Sequence, residues 1–259
     1  MFIFYKDSDV RAPTIFLLHG GGFVAGDKAG SEEFAIYLTE ATGYTVISAN
    51  YEKAPSAKYP SQIIQTEQLY EFFSQNSSKY PMLDMSKIMF GGDSAGAQIA
   101  AQFVLTQTNT DYAKEVGVNQ VSDKGHIKGS ILFCSPLNLK DTVGTKTDNK
   151  YLKFFVNTVA WSLTGERNWQ SSPAIEQASL VDHLTKDYPP TYITDANSYS
   201  FEDQGIAFAN KLNSLGVETK SLFFKNSTKQ INHEYQFNFT TDEAKESFSL
   251  TVDFVKLHM

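Results

Sequence analysis

Five consecutive residues, Gly92-Asp93-Ser94-Ala95-Gly96, have the types and spacing for nucleophilic catalysis. They follow a short apolar run and precede a stretch of helical periodicity. In that context a sharp strand-to-helix turn lifts a serine hydroxyl out of the fold. The origin of such a turn is steric: glycines on both sides of Ser94 let two backbones approach where a side chain would block them. At the start of the helix the amide of Ala95 can stabilise negative charge. Without its flanks the string would read as a tight turn; with them it reads as a nucleophile.

A second glycine cluster, Leu18-His19-Gly20-Gly21-Gly22-Phe23, also follows an apolar run directly. Three successive glycines free the backbone to turn N–H groups toward one point, so two amides can face one oxyanion. A phosphate-cradling loop is the competing reading. No Lys-Ser/Thr pair follows, and the Gly-x-Gly-x-x-Gly spacing with a downstream acid is missing. Beside Ser94 the loop reads as an oxyanion hole. The base must come from five histidines. His19 belongs to the glycine loop and reads as a structural hydrogen-bonder. His126, in a Ser-Asp-Lys-Gly turn, and His258, beside the C-terminus, are expected to be solvated. His183 is expected to be structural or part of a cap. His233, in Ile231-Asn-His-Glu-Tyr235, follows the last strand and precedes the final helix, where an α/β hydrolase carries its base.

These residues need strands to end beside them. Continuous apolar runs at 14–18, 44–49, 87–90, 129–134, 191–194 and 221–224 read as buried parallel strands. Helical periodicity fills 31–42, 63–73, 95–106, 202–215 and 241–258, the last with Ala244, Phe248, Val252 and Val255 on one face. Ser31 is expected to cap the first of these helices, and Gly216 to end the fourth. Strands alternating with helices predict an α/β fold with a mostly parallel central sheet covered on both faces. One domain spanning 1–259 accommodates it. The stretch from Asp141 to Leu184 breaks the rhythm: polar at first, then rich in aromatics (Tyr151, Phe154, Phe155, Trp161, Trp169). We expect a small cap insertion there, with apolar walls over a site at the C-terminal edge of the sheet.

Taken together, His19-Gly-Gly-Gly-Phe23, Gly92-Asp-Ser-Ala-Gly96 and the late His233 resemble the hormone-sensitive-lipase-like esterases of the α/β-hydrolase superfamily. Tyr51-Glu-Lys-Ala-Pro55 with Tyr59-Pro60, Ser135-Pro136, Ser172-Pro173 and Tyr188-Pro-Pro-Thr191 are similar to further segments of that family, so the resemblance covers nearly the whole chain. It implies that Gly21, Gly22 and Ala95 supply the oxyanion-hole amides and that Ser94 and His233 belong to a triad. It also implies that the family's N-terminal cap segment is largely missing here, since the first clear strand comes early.

The triad acid departs from the family pattern. Counted from Pro189, the family's aspartate falls on Tyr199, which cannot act as a carboxylate partner for His233. Asp195, Asp203 and Glu202 remain. Asp195 stands at the C-terminal end of the 191–194 strand, the edge where Ser94 and His233 must meet, and is preferred. Asp203 matches the family's second acidic position, but it also suits the first turn of a helix. Asp93, inside the serine turn, reads as structural.

Composition narrows the function classes. With 41% hydrophobic and 20% charged residues the chain can build a core, and 22 Lys+Arg against 29 Asp+Glu give a net charge of −7. Nucleic acid and anionic membranes, which want a basic face, are poor partners for it. No apolar run reaches the roughly 20 residues needed to cross a bilayer, and Met1–Val10 is too short for a signal peptide. A single cysteine, Cys134, cannot close an intrachain disulfide, which fits a reducing, cytoplasmic setting. Cys134 itself reads as core. The expected function is a serine carboxylesterase cleaving short-chain esters, with a small-molecule ester as partner and neither cofactor nor metal; a homodimer is compatible with the sequence. The same machinery would serve a deacetylase of acetylated sugars or an amide hydrolase, and a non-catalytic small-molecule receptor could use the same fold.

Overall fold

The computed structural model describes residues 1–143 and 150–259. Seven strands form one sheet: β1 (Phe2–Phe4), β2 (Ala12–Leu18), β3 (Thr45–Ala49), β4 (Leu83–Asp93), β5 (Ile127–Phe133), β6 (Thr191–Thr194) and β7 (Thr219–Leu222). Their spatial order is β1-β3-β2-β4-β5-β6-β7. Only β1 runs antiparallel, against β3; the other pairs are parallel. The six predicted strands correspond to β2–β7. The sequence pattern passes over β1 because Phe-Ile-Phe is too short to show a period. It lies at an edge and is only partly buried.

The helices of the main body are α1 (Glu32–Thr42), α2 (Ser61–Gln75), α3 (Ala95–Thr108) and α4 (Thr110–Val116), then α5 (Lys150–Thr164), α6 (Pro173–Gln177), α7 (Glu202–Ser214) and α8 (Asp242–His258). Alternation along β2 sorts them into two layers. Phe16 and Leu18 join one core with Ile63 and Phe73 of α2, Phe103 of α3 and Phe208 of α7. Ile15 and Leu17 face the opposite core, with Phe34 and Leu38 of α1 and Phe254 and Val255 of α8. Strands buried on both faces lose their polar alternation, which is why they read as continuous apolar runs. Among the described residues no helix is long and apolar enough to cross a membrane.

Local details differ from expectation at two points. Ser31 precedes α1 without a side-chain cap, because a short 3₁₀ turn at Lys28–Ser31 runs straight into the helix and Ser31 Oγ bonds Lys28 O and Ser48 Oγ instead. His258 is not solvated: its ring packs 4.6 Å from that of Phe254, and Nε2 lies 3.6 Å from Glu218 Oε1. Gly216 does end α7, with φ +77°.

Between β5 and β6 the chain makes the long excursion that contains α5 and α6. Of the predicted 141–184 insertion, residues 144–149 and the side chain of Tyr151 lie outside the described residues. Trp169 is buried, and its indole N–H donates to Asn157 Oδ1 at 3.0 Å, so it serves the packing of the excursion itself. Phe154, Phe155 and Trp161 are exposed.

Phe90 is fully buried on β4, stacked on Phe16 at 4.8 Å and edge-on to Phe103 at 4.8 Å. These rings tie the strand that ends in Ser94 to its neighbour and to the helix that follows. Phe90→Ala should therefore destabilise the fold by about 3–5 kcal/mol, measurable by urea unfolding.

Candidate active site

Strands β2 and β4 run in register, Leu18 opposite Gly92, so the two glycine clusters emerge side by side at the same edge of the sheet. Beyond β4 the chain turns sharply: Ser94 has φ +50° and ψ −119° and is followed at once by α3. A Cβ on either Gly92 or Gly96 would collide with the carbonyl oxygen of Leu18. Only glycines on both sides allow this approach. The strained serine is held from the other flank as well, since its N–H donates to Phe133 O of β5 at 2.8 Å.

The glycine loop folds back in the left-handed region, with φ +109° at Gly21 and +60° at Gly22. Ala25 N–H donates to Gly21 O at 2.9 Å and closes the turn. Gly20 behaves differently: its N–H donates to Asp93 Oδ2 at 2.9 Å, which ties the loop to the serine turn and gives Asp93 the structural role expected of it. His19 is buried and stacked on Tyr51 at 4.4 Å, and the Tyr51 hydroxyl donates to His19 O at 2.9 Å. Burial holds the His19 imidazole below its ordinary pKa, so it remains a neutral part of the scaffold.

His233 arrives from the loop after β7. That loop is pinned to the loop after β6: Ile231 N–H donates to Asn197 Oδ1 at 2.9 Å, Ser198 N–H to Ile231 O at 3.0 Å, and His233 N–H to Ser198 O at 3.1 Å. Its Nε2 then lies 3.1 Å from Ser94 Oγ. Burial lowers the His233 pKa, opposed by the nearby charge of Glu234, so the ring is a neutral acceptor at pH 7. Its Nδ1 is buried without a hydrogen-bond partner.

Of Asp195, Asp203 and Glu202, the structure brings Asp195 to this ring. A carboxylate oxygen of Asp195, a ring nitrogen of His233 and Cys134 Sγ all lie within 4.8 Å of one another. Asp195 is almost fully buried, and its carboxylate accepts the N–H of Ala196 at 2.7 Å and of Phe201 at 3.2 Å. Burial pushes its pKa up to about 7, against the lowering effect of those amides and the Cys134 thiol. Asp203 points to solvent and pairs with Lys225 at 2.6 Å. Glu202 is buried but accepts the Phe224 N–H, and Tyr199 is exposed at φ +52°. Cys134 stands just past the end of β5 at φ +52°, beside Asp195 and His233. Among the described residues this trio is the one grouping of metal-ligand types, with the imidazole against Ser94 and the carboxylate bonded to backbone amides. The sequence pattern assigned nothing to Glu234, whose Oε1 lies 4.0 Å from His233 Nε2; the acid immediately after the histidine was the available signal.

A raised carboxyl pKa fixes a pH trend in stability. Between about pH 4 and 7 the folded chain keeps the Asp195 proton that the unfolded chain gives up, so this residue costs stability progressively as pH rises. The Tm of Asp195→Asn relative to wild type should therefore climb between pH 4 and pH 8, read by thermal unfolding at each pH.

Comparison with known proteins agrees with this architecture. A family model described as alpha/beta hydrolase fold (Abhydrolase_3) matches residues 15–233. An α/β hydrolase of Acanthamoeba polyphaga mimivirus is 26% identical over 84% of this chain and 60% of its own length. An acetyl esterase of Salmonella paratyphi B is 38% identical over 37% of this chain and 29% of its own. The chain thus spans less than two thirds of either relative. An esterase of Pyrobaculum calidifontis superposes with a TM-score of 0.77 at 21% identity, over 98% of this chain and 79% of that one. Esterase B of Lactobacillus rhamnosis gives 0.79 at 19% identity, over 98% and 79%; at such identities the two structures speak for the fold alone. With its two glycine motifs meeting at one sheet edge and the family model matching from β2 to His233, the chain belongs to the hormone-sensitive-lipase-like branch of the α/β-hydrolase fold family.

Proposed function

We propose that this protein hydrolyses short-chain carboxylic esters through an acyl-enzyme on Ser94. The observation that carries the reading is the 3.1 Å approach of His233 Nε2 to the hydroxyl of a serine held at positive φ. Ser94 Oγ attacks the ester carbonyl as His233 takes its proton, and the negative charge passes to the carbonyl oxygen. The amides of Gly21, Gly22 and Ala95 meet that oxyanion. Asp195 holds the Nδ1–H tautomer and stabilises the imidazolium. The tetrahedral intermediate collapses, the C–O bond to the alcohol breaks, and His233 hands its proton to the departing oxygen. Water, deprotonated by the same imidazole, then attacks the acyl-enzyme and releases the acid and free Ser94.

Support for a short acyl group comes from α5. A Cβ on Gly22 would stand 3.4 Å from Phe155 Cζ and 3.8 Å from Val159 Cγ2, so this helix lies against the glycine loop and leaves little depth there. On this reading α5 is the working part of the cap. The acetyl esterase among the relatives points to the same substrate class.

Turnover of p-nitrophenyl acetate, butyrate and octanoate tests the proposal. Wild type should favour the short esters, and Phe155→Ala should move the preference toward octanoate. Ser94→Ala and His233→Ala should each lower kcat by about 10³-fold or more, Asp195→Asn by at least about 10²-fold, and Asp203→Asn by less than about twofold. Full activity in Ser94→Ala sinks the reading. Since the ionised Asp195 is the working form, kcat/KM should fall as pH is lowered through about 7.

A further inference from the structure

Two carboxyl groups that the mechanism leaves unused face each other beside the triad. Asp93 is buried and accepts the Gly20 N–H at 2.9 Å. Glu234 comes up beside Asp93 over Gly20, and its Oε1 lies 4.0 Å from His233 Nε2. Both acids crowd one spot: a Cβ on Gly20 would run into Asp93 Oδ2 and stand 2.9 Å from Glu234 Oε1. Glu234 reaches this place from a backbone at φ +62°, a conformation a side chain-bearing residue seldom adopts.

Asp93 is buried and Glu234 crowds the same spot, so charging both carboxyls is costly and a single proton lies between them. Burial, and then the neighbouring Glu234, push Asp93 up, so Asp93 holds that proton. The groups facing the pair offer no cation to replace it. From the glycine loop comes His19, kept neutral by burial, and from the segment after β3 comes the Tyr51 phenol. Cys134 stands at the end of β5, Asp195 at the end of β6, and His233 on the loop of Glu234 itself. Lys53, Asp27 and Lys28 bear on His19.

We propose that Glu234 is a positioning residue: the proton it shares with Asp93 clasps the histidine loop to the serine turn and, through the Gly20 amide, to the oxyanion loop. The inference rests on the ester-hydrolase reading for its kinetic consequence. Loss of the shared proton places two negative charges in contact, the clasp opens, and His233 withdraws from Ser94. The alkaline fall in kcat therefore belongs to this pair. Because the folded chain holds this proton more tightly than the unfolded chain, the clasp's contribution to stability also declines as pH rises.

Glu234→Gln separates the possibilities, because its amide can donate to an ionised Asp93 and has no proton to lose in this range. The alkaline limb of kcat for p-nitrophenyl acetate should move upward by about one pH unit or more, with KM little changed. Glu234→Asp should keep a limb close to that of wild type, and Glu234→Ala should lower kcat about tenfold across the range. Thermal unfolding reads the clasp without hydrolysis: the Tm of Glu234→Gln relative to wild type should rise steadily from pH 6 to pH 9.5. Coincident alkaline limbs, or Tm curves that stay parallel, overturn the clasp. Failure of wild type to turn over ester or to take up a fluorophosphonate on Ser94 instead overturns the hydrolase reading, and the Tm comparison still decides the clasp.

Discussion

The contact on which the site depends is the close backbone approach at the sheet edge, where the serine turn passes over the Leu18 carbonyl. Because β2 and β4 are in register, whatever follows Leu18 must lie beside whatever follows Asp93. The glycine loop and the nucleophile are thus neighbours by topology, without any need for a long loop to find its way. The approach leaves no room for a Cβ at Gly92 or Gly96, so the turn can form only around Ser94 in a conformation that costs energy. That cost is met by the bond from Ser94 N–H to β5 and by the core beneath, where Phe16 and Phe90 stack.

The surroundings of the serine are acidic in composition and short of cations. Asp93 is satisfied by Gly20, Asp195 by Ala196 and Phe201, and Glu202 by Phe224, in each case by backbone N–H groups. Amide donors stabilise a carboxylate enough to keep it in the interior but less than a guanidinium or ammonium would. For Asp93 and Asp195 the outcome is a carboxyl raised above its ordinary range, which suits proton handling better than permanent ion pairing. The chain's ion pairs lie elsewhere, as in Lys225–Asp203 and Lys229–Glu243, both reaching solvent.

Much of this was legible in the sequence because the features involved are local. A strand that ends in glycines signals its turn within a few residues, and so Ser94, the 19–22 loop and six of the strands could be placed from pattern alone. His233 was singled out by position, as the histidine between the last strand and the last helix. What escaped were properties set by distant partners. The packing of His258 depends on Glu218 and Phe254. Glu234 was overlooked because nothing in its neighbours announces that Asp93 waits opposite, 141 positions earlier in the chain.

The pairing of Ser94 with His233 spans 139 residues, and the intervening chain must complete three parallel crossovers before the two can meet. Contacts of such range form after local ones, because the entropy of closing the loop is spent before the contact returns anything. The strained serine turn can be assembled by β2, β4, β5 and α3 alone, whereas the imidazole is delivered only when β6 and β7 have joined the edge of the sheet. Chemical competence is therefore a property of the finished sheet. A nascent or partly unfolded chain carries Ser94 in its turn without His233 beside it.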